Sequence, residues 1–297
     1  MRSFSAMGTD VRVIAGRDAA HVTAQVKRTF ADTEQRFSRF LPDSELSRLN
    51  RATEPAEVSE ELFDALWRAR AYLELTEGVF DPAVGAAMHE LGYDRTFAPG
   101  ALDRPRRGAP ARRASMLEVT LDPVRRTVER PPHVLLDLGG MMKGRTVDRA
   151  ARHLAGHGVV DAGGDARLVG DGRSPWRVEV EDPRDPRRTV ASMWVEDGAV
   201  ATSAANRRRW RVGSGWAHHL VDPRTGEQAE SDLLQATVLA PSAELADVLA
   251  KTVFVLGSRQ ARAALARWDR VGAVLVSRTG RVSVIGELAI EEVRSVG

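Results

Sequence analysis

Apolar and polar residues alternate around Val11 and Val13, which predicts a strand. After Gly16-Arg17-Asp18 the spacing changes: Val22, Val26, Phe30, Thr33 and Phe37 recur every three or four positions, the period of a helix with one buried face. Ser59 stands where a helix cap belongs, ahead of Leu62, Leu66, Ala69 and Leu73, and Thr76-Glu77-Gly78 ends that second helix. Met116 to Val128 returns to alternation and predicts a hairpin. Val134-Leu135-Leu136-Asp137 reads as a buried strand ending in an acid, followed by a Gly-Gly turn and a helix bearing Val147, Ala150, Ala151 and Leu154. Further strands are predicted at Val159 to Asp161, Trp176 to Val180 and Met193 to Val195. A helix follows from Ser242 to Gly257 with Leu245, Leu249, Val253 and Leu256 inward, then a short helix and a hairpin turning at Arg278-Thr279-Gly280.

Strands outnumber regular strand-helix-strand crossovers, so the expected fold class is α+β, with mixed, largely antiparallel sheets and packed helices, rather than a doubly wound α/β fold. No short-period repeat is present. The 297 residues suffice for one domain over 1–297 or for two intimately packed subdomains, with an arginine- and proline-rich loop around 95–115 that contains Pro105 and Pro110.

Composition narrows the chemistry. The chain has no cysteine, which excludes disulfides, thiolate zinc sites and cysteine nucleophiles. No apolar run approaches the roughly 18 residues of a membrane span, and Met1-Arg2-Ser3-Phe4-Ser5 lacks a secretory pattern, so the expected location for the chain as given is cytoplasmic. The basic residues are nearly all arginine, and only Lys27, Lys143 and Lys251 are lysine, which marks those three as candidates for specific work. Clusters such as Arg207-Arg208-Arg209 have few aromatic companions, and the acidic residues nearly cancel the basic ones, so a nucleic-acid partner is not expected.

Several short segments carry candidate chemistry. Asp137-Leu138-Gly139-Gly140-Met141-Met142-Lys143-Gly144 puts glycines where backbone can approach a ligand, opens a helix whose N–H groups suit phosphate, and adds a mobile cation. It matches neither G-x-G-x-x-G nor the P-loop pattern, and a plain strand-to-helix connection remains an equal reading. Ala162-Gly163-Gly164-Asp165 repeats the theme and reads by itself as a turn. Thr202-Ser203 follows a strand and offers two hydroxyls. His218-His219 precedes Leu220-Val221-Asp222-Pro223-Arg224-Thr225-Gly226, and His219 is a candidate general base or phosphate donor as well as an ordinary structural histidine. Asp247 and Lys251 share a helix face four residues apart, as an ion pair or as part of a metal site.

Taken in order, these segments resemble the ApbE family of FAD:protein FMN transferases over nearly the whole chain. The resemblance rests on Met7-Gly8-Thr9, on Glu34 with Phe37-Ser38-Arg39-Phe40, Ser44-Glu45-Leu46 and Asn50, and on Gly78-Val79-Phe80-Asp81-Pro82. It continues through Asp137 to Asp148, Ala162 to Asp165, Thr202-Ser203, His219 to Gly226, and Ala246-Asp247 to Leu256-Gly257. The resemblance implies an FAD site of Met7, Phe40, Val79, Phe80, Asp81, Asp137, Lys143, Thr202, Ser203 and Val221, with the His219 to Asp222 segment near the pyrophosphate. It also implies magnesium held by Asp247 and the Gly140 carbonyl, with His219 and Lys143 as the catalytic residues. The implied reaction moves FMN from FAD to a threonine or serine hydroxyl of an acceptor protein and releases AMP. A non-catalytic FAD carrier and an FAD pyrophosphatase giving FMN and AMP are the alternatives.

Two positions depart from the family pattern. Ala204 follows Thr202-Ser203 where the family has glycine. Lys251 stands where a threonine metal ligand is expected, with Thr252 next to it. An ammonium cannot ligate magnesium, so either magnesium chemistry is retained, with Lys251 pointing aside or Thr252 supplying a ligand after a local helix shift, or Lys251 takes the place of the metal.

Overall fold

A computed structural model describes residues 1–16, 18–96, 113–212 and 215–294. Most of the loop expected around 95–115 lies outside the described residues. Six helices are described: α1 (Ala19–Phe37), α2 (Glu45–Arg51), α3 (Glu60–Leu75), α4 (Gly85–Glu90), α5 (Met142–Ala151) and α6 (Ala243–Leu265). None of them is long and apolar enough to cross a membrane. The chain divides into two units, Met1–Ala31 with Met141–Asn206 and Ser231–Gly297, and Asp32–Gly140 with Arg207–Glu230.

The first unit is built on an eight-stranded sheet in which neighbours in space are also neighbours in the chain's sequence of sheet strands. The order is Arg2–Ala6, Thr9–Ile14, Gly158–Ala162, Asp165–Val169, Gly198–Ala204, Leu233–Ala240, Gly272–Ser277 and Val282–Ile285. Every ladder in it is antiparallel. Both faces are covered. Val11, Val13, Val160, Ala162 and Ala199 pack against Val22, Val26 and Phe30 of α1 and Val147 and Ala150 of α5. Val159, Leu168, Val200, Val274 and Val276 pack against Val180, Val190, Ala191 and Met193 of a second, three-stranded sheet. Adjacent residues such as Val159 and Val160 thus serve opposite faces, which is why these strands read as continuous apolar runs instead of alternating ones. The α+β class and the antiparallel pairing expected from the sequence are what the structure shows.

The second unit carries α2, α3 and α4, a three-stranded sheet of Ala56–Glu57, Thr127–Glu129 and Thr120–Asp122, and two small hairpins within residues 207–230. Ser59 caps α3 as expected, its hydroxyl oxygen accepting the Leu62 N–H at 3.2 Å. Glu77 and Gly78, at φ 55° and 79°, turn the chain away after the Thr76 C-cap. Trp210 pins the segment 207–230 to this unit, fully buried, with its indole N–H donating to the Leu91 carbonyl at 2.8 Å.

Three expectations need correction. Val134 to Asp137 is buried at Val134 and Leu136, but it joins no sheet. Its backbone groups are satisfied elsewhere: the Leu135 carbonyl by the Gly85 N–H at 2.9 Å, the Asp137 N–H by the Pro82 carbonyl at 2.7 Å, and both polar groups of Leu136 by the Asn50 amide at 2.8 and 2.9 Å. Thr202 and Ser203 lie inside the strand Gly198–Ala204 rather than after it. In α6, Leu245 and Leu256 are only half-buried, while Ala246, Asp247, Val248, Ala250, Thr252, Val253 and Phe254 are buried, so the helix is covered nearly all round. It breaks at Gly257, φ 75° and ψ 175°, not before.

The crossing of α5 and α6 is unusually close. A Cβ on Gly144 would lie 2.2 Å from the Ala243 carbonyl oxygen. Beside it, the Asp148 carboxylate accepts the Ala243 and Glu244 N–H groups at 2.9 Å each, and Ser242 accepts that of Leu245 at 3.3 Å, so two side chains cap the start of α6. Gly144→Ala is therefore expected to cost about 1–3 kcal/mol. Gly16→Ala, with no atom within 4 Å of the new carbon, should change stability by less than about 0.5 kcal/mol. Urea midpoints of the two variants give the comparison.

Burial raises the Asp148 carboxyl above its ordinary range, against the pull of the two N–H bonds. The folded protein then holds this proton more tightly than the unfolded chain, so the group's contribution to stability falls as pH rises from about 4 through the folded value. Asp148→Asn keeps an acceptor oxygen and removes the titration. Its urea midpoint should gain on wild type as pH rises from about 4 towards 7, and a pH-independent difference would show that Asp148 does not titrate there.

Candidate functional site

In the first unit the candidate chemistry gathers around the first turn of α5. Met141 precedes that helix without any side-chain cap, which leaves the turn's N–H groups to other acceptors. The Lys143 ammonium rests on the carboxylate of Asp165 and donates to the Ala162 carbonyl at 3.3 Å. Asp165 is 1% exposed and also accepts the Thr202 N–H at 3.4 Å. It follows a two-residue turn, Gly163 and Gly164 at φ 63° and 98°, and a Cβ on Gly163 would strike the Thr9 hydroxyl oxygen at 2.1 Å. The glycine pair is therefore a hairpin turn, and the acid beside it is the partner of Lys143.

A matching turn joins the first two strands through Met7 and Gly8, at φ 50° and 67°. A methionine in the left-handed region is uncommon, and Met7 is half-buried against the core of this unit. The Thr202 hydroxyl pairs with that of Thr237 at 2.9 Å, and Ser203 is buried. Ala204 is a regular strand residue opposite Gln235, so the position does not require glycine.

On α6, Asp247 is 2% exposed and both its carboxylate oxygens are engaged. Oδ2 accepts the Gly144 N–H at 3.2 Å, and Oδ1 accepts the Lys251 ammonium, which also reaches the Asp247 carbonyl at 3.4 Å. Thr252 is buried and donates its hydroxyl to the Val248 carbonyl at 2.9 Å. It lies five residues after Asp247, about 140° around the helix, and no break before Gly257 shifts that register. The helix shift that would bring Thr252 beside Asp247 is absent.

In the second unit, Asp137 is held by Arg39, whose Nε donates to Oδ2 at 2.7 Å, while Oδ1 accepts the Gly139 N–H at 2.7 Å. The Arg39 guanidinium lies 4.2 Å from the Phe40 ring centre and 5.0 Å from that of Tyr93. Phe40 meets Tyr93 edge-on at 5.5 Å, and Tyr93 stacks on Trp210 at 5.3 Å. Val79 and Phe80 are buried after the end of α3, with Phe80 edge-on to Tyr72 at 6.1 Å. The Asp81 oxygens receive Ala83 N–H at 2.8 Å, the Ser115 hydroxyl at 2.7 Å and Met116 N–H at 3.1 Å, and burial raises this carboxyl. Gly140 closes this unit's main segment.

His219 directly follows the strand Gly215–His218, with Nδ1 3.4 Å from the Arg208 carbonyl, to which it can act only as donor. That tautomer leaves the lone pair on Nε2, the form a general base needs. Val221 is buried, and Asp222 is bound at both oxygens by Arg224, at 2.9 and 2.8 Å. Burial pushes the Asp222 carboxyl up, but the Arg224 bonds outweigh it and hold the group below its ordinary range.

Sequence reasoning assigned no role to Arg39, Tyr93, Trp210, Asp148 or Asp165. Arg39, Asp148 and Asp165 stood inside recognised motifs, so position was the available signal. Tyr93 and Trp210 carried none, because their stacking joins residues far apart in the chain. The divalent ion implied by the resemblance does not fit the donors present. Asp247 already holds an ammonium on one oxygen and an N–H on the other, Thr252 faces away, and among the described residues no three His, Asp or Glu side chains gather as a cage.

Known proteins place these features in a family. The family model described as "ApbE family" matches residues 7–275. An FAD:protein FMN transferase of Treponema pallidum is 30% identical over 92% of this chain and 82% of its own length, and one of Vibrio cholerae is 29% identical over 88% and 81%. The crystal structure of the ApbE protein of Thermotoga maritima superposes with a TM-score of 0.86 at 27% identity, covering 96% of each chain. The flavin transferase ApbE of Vibrio cholerae gives 0.76 at 25% identity over 97% of this chain and 96% of that one. With a family match over nearly its whole length and relatives this extensive, the chain belongs to the ApbE family.

Proposed function

We infer that this chain is an FAD:protein FMN transferase acting as a single domain over its length. The observation that carries this reading is Lys143, seated by a buried aspartate in the first turn of α5, where Met141 supplies no side-chain cap and a phosphate would meet a cation beside the helix N-terminus. Relatives named FAD:protein FMN transferase support FAD as the substrate and a protein as the acceptor.

In the proposed reaction, a threonine or serine hydroxyl oxygen of the acceptor attacks the phosphorus on the FMN side of the pyrophosphate. The bond from that phosphorus to the AMP oxygen breaks, and AMP leaves with the electron pair. His219 Nε2 takes the hydroxyl proton, and Lys143 offsets the charge that builds on the phosphate oxygens. The further FAD contacts that the family resemblance implies are Met7, Phe40, Val79, Phe80, Asp81, Asp137, Thr202, Ser203 and Val221. The Asp81 carboxylate is already occupied by Ser115, Ala83 and Met116, so its part is to fix the shape of its segment. Magnesium at Asp247 and Gly140 belongs to the family pattern.

The test incubates the protein with FAD, magnesium and an acceptor domain, and reads covalent FMN by mass and AMP by chromatography. Both products are expected. Bound FAD with neither product would make the chain a carrier, and AMP without a modified acceptor would make it a pyrophosphatase. His219→Ala should lower the transfer rate by about 10²–10⁴-fold and Lys143→Ala by about 10²–10³-fold, with folding checked by thermal melt.

A further inference from the structure

We propose that Lys251 is a built-in cation: its ammonium, anchored on Asp247, occupies the role of a divalent metal, so that FAD binding by this chain needs no metal ion. The proposal rests on the FAD reading above and concerns which cation serves the pyrophosphate.

The first support is that both oxygens of the carboxylate are already engaged. Asp247 is buried, Oδ1 is taken by Lys251 and Oδ2 by the Gly144 N–H. A magnesium ion at this carboxylate would have to displace the Lys251 ammonium or sit beside it against cation–cation repulsion. The helix offers no substitute ligand, because Thr252 faces another side of α6 and is bonded to Val248.

The second support is the way the ammonium is presented. The Asp247 side chain is 2% exposed but that of Lys251 is 22% exposed, so the anchor is buried while the cation keeps an accessible edge. An ammonium has three N–H donors, and two reach the Oδ1 and carbonyl oxygens of Asp247, leaving one for an anion. The same unit contains the same device a second time: Asp165 at 2% anchors Lys143 at 16%. Gly144, next to Lys143 in α5, is the residue whose N–H meets Asp247, so the two devices flank one helix turn. Composition agrees. Of 43 basic residues only three are lysine, and the third, Lys27, is exposed on α1. A compact point charge is retained at these two positions in a chain that otherwise uses arginine's wider fork.

The test measures binding of FAD and of riboflavin, which lacks the pyrophosphate, in EDTA and in magnesium. Wild type should bind FAD with affinities that agree within about threefold in the two buffers, and Lys251→Met should lose about 10–100-fold for FAD in EDTA with riboflavin unchanged. Lys251→Thr should show the same loss in EDTA and recover it in magnesium. If Lys251→Met proves unstable because Asp247 is left unpaired, the double variant Asp247→Asn/Lys251→Met removes both charges and is expected to show the same selective loss. Wild-type FAD binding that collapses in EDTA and returns with magnesium overturns the proposal, as does a folded Lys251→Met or double variant that binds FAD like wild type in EDTA. These readouts need no acceptor. Absence of FMN transfer in every buffer therefore overturns the transferase reading alone, and transfer together with FAD binding that depends on magnesium overturns this proposal alone.

Discussion

The α5–α6 crossing leaves no room for a side chain at Gly144, and most of what is distinctive in the first unit follows from that contact. Because the α5 backbone lies against Ala243, Asp148 one turn further along reaches the open N–H groups of α6 and closes them. The same approach brings the Gly144 N–H onto Asp247. The glycine-containing turn before α5 and the helix it opens are thus in large part a packing device. Gly144 permits the contact, Asp148 locks it, and Lys143 beside them rests on Asp165. The cost is a buried carboxylate at Asp148 that burial pushes towards its neutral form, tolerated because it satisfies two backbone donors that would otherwise be orphaned.

Much of this was legible in the chain. Ser59 and Ser242 announced their helices because a capping hydroxyl acts within three residues, a range that spacing can reveal. The hairpin at Arg278-Thr279-Gly280 was readable for the same local reason. What failed was long-range. Val134 to Asp137 has the composition of a strand, and Val134 and Leu136 are indeed buried, but its backbone partners are the Asn50 amide and the residues Pro82 and Gly85 rather than a ladder. Periodicity reports whether a segment is buried, not which groups accept its N–H bonds. In α6 the inward face was drawn one-sidedly, since a helix buried almost all round has no dominant period to find.

Site residues followed a similar division. Motif order singles out positions, but motif order cannot tell a ligand contact from a brace. Asp81 stands in a recognised segment and proves to be tied to Ser115, Ala83 and Met116. Asp165 had been only the end of a glycine turn, and it is the buried anchor of Lys143. Arg39 is the clearest omission: it fixes Asp137 by a charged hydrogen bond and lies over Phe40 and Tyr93, so an acidic and an aromatic feature of the second unit share one cation.

The two departures from the family pattern have different physical weight. Ala204 replaces a glycine where the backbone is an ordinary strand, so the extra methyl meets no conformational objection. Lys251 changes the charge on an element whose geometry is otherwise fixed by the α5 contact. A buried aspartate must be compensated by something, and α6 holds it in a place that the crossing at Gly144 determines. Threonine at residue 251 would leave that compensation to an ion from solution. Lysine supplies it from the chain, in the same form as Lys143 on Asp165, and thereby ties the neutralisation of Asp247 to folding rather than to metal supply.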